Sequence, residues 1–196
     1  MDVQVSKTCK AAWFHLRNVS KIKSYLPEEQ LKTVIHAFVI SQLDFNNLLL
    51  AGSRDNSIAK LQRVQNAAAR LVTGTDNFSH ITPVLKHLHW LPVHHRITFK
   101  LLLTAFKAMQ GIGPSYLLDL LAVYNPTPAL RSASSPLLLT VPRTRLKTYG
   151  DKSFSVSVPV RWNQLPPHIR DCKSPSAFKS SLKTYLFRRH FTDNVL

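Results

Sequence analysis

Five of the nine histidines fall within sixteen residues, HITPVLKHLHWLPVHH (80–95), around one tryptophan. Imidazoles at that density raise the question of zinc. Zinc needs three or four N, S or O ligands converging at about 2.0–2.3 Å, commonly from two residues one turn apart on a helix face. His87 and His89 are two residues apart and His94 and His95 are adjacent, so neither pair chelates from a helix. The nearest acids, Asp76 and Asp119, lie outside the stretch. Cys9 and Cys172 are far apart with no CxxC spacing, which argues against a disulfide framework or a cysteine-rich zinc site and predicts two free, buried thiols. No metal is therefore expected. The stretch reads instead as a corner, in which His89 and Trp90 cap a short helix and pack over Pro92.

Other catalytic arrangements fare no better. Glu28-Glu29 is the only adjacent pair of acids, and it sits where a helix begins. Two divalent ions would need clustered aspartates, and no aspartate here has an acidic neighbour in sequence. Only five glycines are present, none arranged to cradle a phosphate as GxGxxG or GxxxxGK. The chain is expected to be no enzyme and to carry no cofactor.

What remains is charge. Twenty-six Lys and Arg face ten Asp and Glu, a formal +16, of which residues 131–196 carry +9. A folded protein tolerates such self-repulsion best when a polyanion sits against it, so the backbone of RNA or DNA is the expected partner. The candidate phosphate contacts are Lys60, Arg63 and Arg70 of the third helix, then Arg96 and Lys100, and in the tail, where basic residues interleave with aromatics, Arg143, Arg145, Lys147 and Arg161 and finally Lys179, Lys183, Arg188 and Arg189.

The elements that would position these groups are mainly helical. Val5, Cys9, Ala12, Leu16, Val19 and Leu26 share one face. Pro27-Glu28-Glu29 starts a second helix burying Leu31, Val34, Ile35, Phe38 and Val39. A third, about Ile58 to Val72, buries Ile58, Leu61, Val64, Ala68 and Leu71 and stops at Gly74. These three predict an antiparallel bundle. A helical extension follows: a short helix capped at Thr82-Pro83, a longer one from Pro92 to Gly111, and a brief one from Pro114 to Leu121. Residues 1–121 read as one helical region, 122–136 as a Pro/Ser-rich linker and 137–196 as a basic tail. In the tail, Phe154, Val156, Val158 and Val160 alternate with Ser153, Ser155, Ser157 and Pro159, which predicts an edge strand forming a small β-hairpin with Thr140–Lys147. A C-terminal helix from Ser174-Pro175 buries Phe178, Leu182, Tyr185 and Leu186. At 44% hydrophobic content the chain can build a core, no run approaches the roughly 18 apolar residues of a membrane span, and the N-terminus lacks a signal-peptide core. A soluble, intracellular protein is expected.

Six strings in order, IHAFVISQLDFNNLLLAG (35–52), KLQRVQNAAARLVTG (60–74), HITPVLKHLHWLPVHHRITFK (80–100), LLTAFKAMQGIGPSYLLDLL (102–121), LRSASSPLLLTVPRTRLKTYGDKSFSVSVPVRWNQLP (130–166) and FKSSLKTYLF (178–187), resemble the C-terminal part of the reverse transcriptase of jockey-like non-LTR (LINE) retrotransposons. The resemblance covers nearly the whole chain. It implies that the first helices are thumb-like, cradling a template and primer duplex, and that the remainder is a post-thumb tail. The palm, with its paired catalytic aspartates, and the endonuclease would lie upstream, so Asp44 in LDFNN is not a polymerase aspartate. A fragmentary copy without polymerase or endonuclease activity is implied, acting in the nucleus if it follows its family onto chromosomal DNA. At most it would bind nucleic acid non-specifically; the alternative is a structural or interaction module whose Leu101–Leu121 segment docks on the missing palm of the same reverse transcriptase.

Overall fold

The computed structural model describes residues 2–124, 137–146 and 150–192. It is mainly helical and falls into two compact units, Met1–Ile97 with the chain end from Phe191, and Thr98–His190. The division lies within one helix, earlier in the chain than the Pro/Ser-rich linker, most of which (125–136) is outside the described residues.

In the first unit three helical rods pack together. Helix α1 (Asp2–Ile22) buries Val5, Ala12, Leu16 and Val19, the expected face, with Cys9 half-buried beside them. A tight turn over Lys23–Tyr25 reverses the chain. The second rod is α2 (Glu28–Ile35), a widened turn over His36–Ile40, and α3 (Ser41–Asp44). In the widened turn the Ser41 N–H reaches back five residues to the His36 carbonyl, a π-helical bond that inserts one extra residue into the helix. The inserted residue shifts the buried stripe to Leu31, Ile35, Val39, Ile40 and Leu43, and Phe38, expected in the core, is 52% exposed. Helix α4 (Asp55–Thr73) starts beside α1, where the Ser57 hydroxyl donates to Asp2 at 2.6 Å, and ends at Gly74 in the left-handed region that glycine favours.

The predicted corner follows. Helix α5 (Ile81–His87) begins after His80 rather than at Thr82, and closes with two backbone bonds, Trp90 N–H to Leu85 and His89 N–H to Lys86. Those two bonds form a Schellman turn, with His89 in the left-handed position at φ 53°. Trp90 is buried with its ring edge-on to His36, and Pro92 leads into α6 (Val93–Met109). Two glutamines of α4 pin the joint: Gln65, fully buried, donates to the Leu91 carbonyl at 2.9 Å, and Gln62 accepts the Val93 N–H at 2.8 Å.

The second unit is built on stacked rings. Phe106, Trp162 and Phe178 are fully buried, with Phe106 and Phe178 nearly parallel at 4.2 Å and Trp162 5.6 Å from Phe178. Around them run the rest of α6, α7 (Ser115–Asp119), α8 (Phe154–Asn163), α9 (Pro167–Arg170) and α10 (Pro175–Phe191). The expected hairpin is not formed. Phe154–Asn163 is a helix entered from Ser153, with Pro159 inside it. Val156, Ser157, Val158 and Pro159 are all buried in succession, so the alternation of serine and valine does not mark one wet and one dry face. A period of two reports a strand only when one face is solvated. The segment 138–140, entered from Leu137 at φ 41°, instead meets Val123 through a single antiparallel bridge at Leu139. The described part of the predicted hairpin arm, 140–146, forms no strand, and Lys147 lies outside the described residues.

The Asn163 carboxamide replaces the missing ladder. Its Oδ1 accepts the Leu139 N–H at 2.9 Å and its Nδ2 donates to the Leu139 carbonyl at 2.8 Å. One residue earlier, the Trp162 indole donates to the Leu137 carbonyl at 2.8 Å. Leu139 is 2% exposed, so its backbone groups have no water to fall back on. Replacing Asn163 by Leu strands both groups, at about 1–3 kcal/mol each. A urea melt is expected to show a clear drop in midpoint, with Asn163→Asp, which retains the acceptor, falling in between.

Candidate nucleic-acid interface

The expected phosphate contacts divide by what already holds them. Arg96, in the first turn of α6, reaches across to α3, where its Nε donates to Asp44 at 2.8 Å and its terminal nitrogen bonds the second carboxylate oxygen. Asp44 also accepts from the Asn47 side chain, so the string around LDFNN and the string around RITFK meet at this fork. Arg70 donates to the carbonyls of Asp76 and Ser79, both at 3.0 Å, and holds the loop after α4. Within that loop Asp76 accepts the Ser79 hydroxyl and two backbone N–H groups, and the Ser79 bonds hold its carboxyl below the usual carboxylate range. Arg161 donates to the carbonyl and hydroxyl of Ser157, and burial pulls its guanidinium below the usual arginine value. These three guanidinium groups are engaged within the fold.

The others face solvent. Lys60 and Arg63 stand on the outer side of α4 and Lys100 on α6, with Arg143 and Arg145 on the segment before α8. Lys179 and Lys183 lie one turn apart on α10, and Arg188 and Arg189 are in its last turn. Among the described residues two ion pairs form, Arg96–Asp44 and the exposed Lys32–Glu29, and none of these cations takes part. Their charge is left for an external anion.

Helix α1 adds a group that the reading of its buried side passes over. Lys7, Lys10, Phe14, Arg17 and Lys21 are all exposed and follow a three-and-four spacing, which places them on one face opposite Val5, Ala12, Leu16 and Val19. The signal that finds them is the same periodicity, applied to the outward positions. Beside this face, Trp13, Leu16, Arg17 and Ser20 of α1 and Ala67 and Leu71 of α4 line an open groove of about 330 Å³. Arg17 is the cation that lines it, and Lys60 lies two turns before Ala67 on the same row of α4.

The histidines spread along the corner. His80 precedes α5, His87 ends it, His89 makes the turn, and His94 and His95 open α6 with their rings 3.9 Å apart. Both cysteines are half-buried rather than fully buried, and burial raises the Cys9 thiol, which keeps it a poor nucleophile at neutral pH. No family model, no curated protein and no solved structure matches the chain.

The division between engaged and outward cations is measurable in stability. Arg96→Ala leaves the part-exposed Asp44 without its fork and is expected to cost about 1–2 kcal/mol in chemical denaturation. Lys60→Ala and Lys179→Ala remove exposed ends outside both ion pairs and should stay within about 0.5 kcal/mol of the wild type.

Proposed function

We propose that this chain is the thumb and post-thumb tail of a jockey-like LINE reverse transcriptase, and that its own biochemical role is sequence-independent binding of the RNA or DNA backbone. The six strings support the descent, and the carrying observation for binding is the set of outward cations that enter no ion pair among the described residues of a protein of charge +16. Lysine and arginine ends held in water gain most by releasing the counterions of a polyphosphate. On this reading Lys60, Arg63, Lys100, Arg143, Arg145, Lys179, Lys183, Arg188 and Arg189 contact phosphates, Lys147 belongs to the same basic run in sequence, and Arg70, Arg96 and Arg161 hold the scaffold that presents them. The chain supplies no catalysis of its own and takes no cofactor.

A second reading rests on a separate observation. Ile112, Tyr116, Leu118 and Leu120, in and around α7, are 44–64% exposed, an apolar cluster within the segment that would dock on a polymerase palm. Docking there predicts aggregation of the isolated chain, relieved by Leu118→Lys and Leu120→Lys, with weak affinity for nucleic acid.

A salt titration separates the two. Fluorescence anisotropy on a labelled duplex is expected to give a linear fall of log affinity with log salt, near 0.9 per phosphate contacted. Absence of binding at about 50 mM salt would overturn the nucleic-acid reading.

A further inference from the structure

We infer that the outer face of α1 is a binding track for single-stranded nucleic acid, with an unpaired base stacking on Phe14 and flanking phosphates held by Lys7, Lys10, Arg17 and Lys21. The inference rests on the nucleic-acid reading and narrows it to a strand type and a surface. Four cations and one aromatic ring occupy a single stripe, and the helix carries one acid, Asp2, at its far end. At 1.5 Å per residue the stripe runs about 21 Å, enough for several nucleotides. None of the four cations enters an ion pair among the described residues.

The aromatic component is what favours a single strand. Phe14 is 61% exposed, its ring held out on the same face of α1 as the four cations. It does not stand alone. His15, half-buried, meets it edge-on at 5.5 Å and stacks on Phe38 at 5.8 Å, so it bridges the two exposed rings into one aromatic platform in which Phe14 stands nearly perpendicular to His15. Phe38 is there because the π-helical turn moves it out of the core stripe. Lys10 lies four residues before Phe14 and Arg17 three after, on either side of the platform along the helix. A paired base hides its faces within the stack, whereas an unpaired base offers them to an aromatic ring while its neighbouring phosphates meet the cations. An acidic protein could satisfy the cations and would have no use for the platform.

The test uses the full chain and labelled oligonucleotides of about twelve residues, oligo-dT, oligo-U and a mixed-sequence duplex. Phe14→Ala is expected to weaken binding to both single strands about tenfold and to leave the duplex within about twofold. Phe14→Leu keeps the apolar bulk without the π face and should behave like Phe14→Ala, which guards against a folding defect. Lys10→Ala with Arg17→Ala should reduce the single-strand salt slope by about 1.4, at 0.7 per phosphate. If the wild type binds and these variants bind single strands equally well, the track is overturned while general nucleic-acid binding stands. An equal loss on the duplex overturns the strand preference, and competition by poly-glutamate as strong as by oligo-dT overturns the nucleic-acid track in favour of an acidic protein. A wild type that binds none of the oligonucleotides overturns both readings.

Discussion

The structure depends on satisfying backbone groups at buried corners, with no sheet among the described residues to do it. Helices bond their own interiors, but each end leaves N–H and C=O groups open, and a helical chain that turns often has many such ends. Here the corners are closed by side chains reaching in from distant helices. Gln62 and Gln65 hold Leu91 and Val93 on either side of Pro92, and Asn163 and Trp162 hold Leu139 and Leu137. A buried peptide group left open costs more than the net gain of any one bond, so these clamps discriminate strongly against other arrangements of the same helices.

The clamps also tie together strings that lie far apart in the sequence. The glutamines of LQRVQNAAARL bond the backbone of HWLP, the arginine of RITFK forks onto the aspartate of LDFNN, and the tryptophan and asparagine of RWNQLP bond the backbone of LLLT. Strings far apart in the chain are paired halves of joints. What the corner requires of His89 is a left-handed backbone, which a histidine adopts at some cost.

Much of the first unit is legible from periodicity. The buried face of α1, the start of the second rod at Pro27, and the glycine stop of α4 all follow from local rules. Periodicity fails where a helix is irregular or buried on several sides. Phe38 leaves the stripe because one inserted residue rotates everything after it, and α8 resembles a strand because Ser157 and Pro159 are buried together with Val156 and Val158. The candidate interface divides in the same way. That the chain is a polycation is plain from composition, but whether a given arginine faces water is not, since Arg63 and Arg70 share α4 and only one of them is tied to the fold.

Taken alone, the sequence determined the mainly helical character, the excess of positive charge and the outward row of cations on α1, because helix propensity, charge and a period of 3.6 are local properties. Tertiary structure decided which cations remain available, which way Phe38 points, and that 154–163 is helix rather than strand. Those outcomes turn on partners brought together from distant parts of the chain, and on burial that no window of neighbouring residues contains.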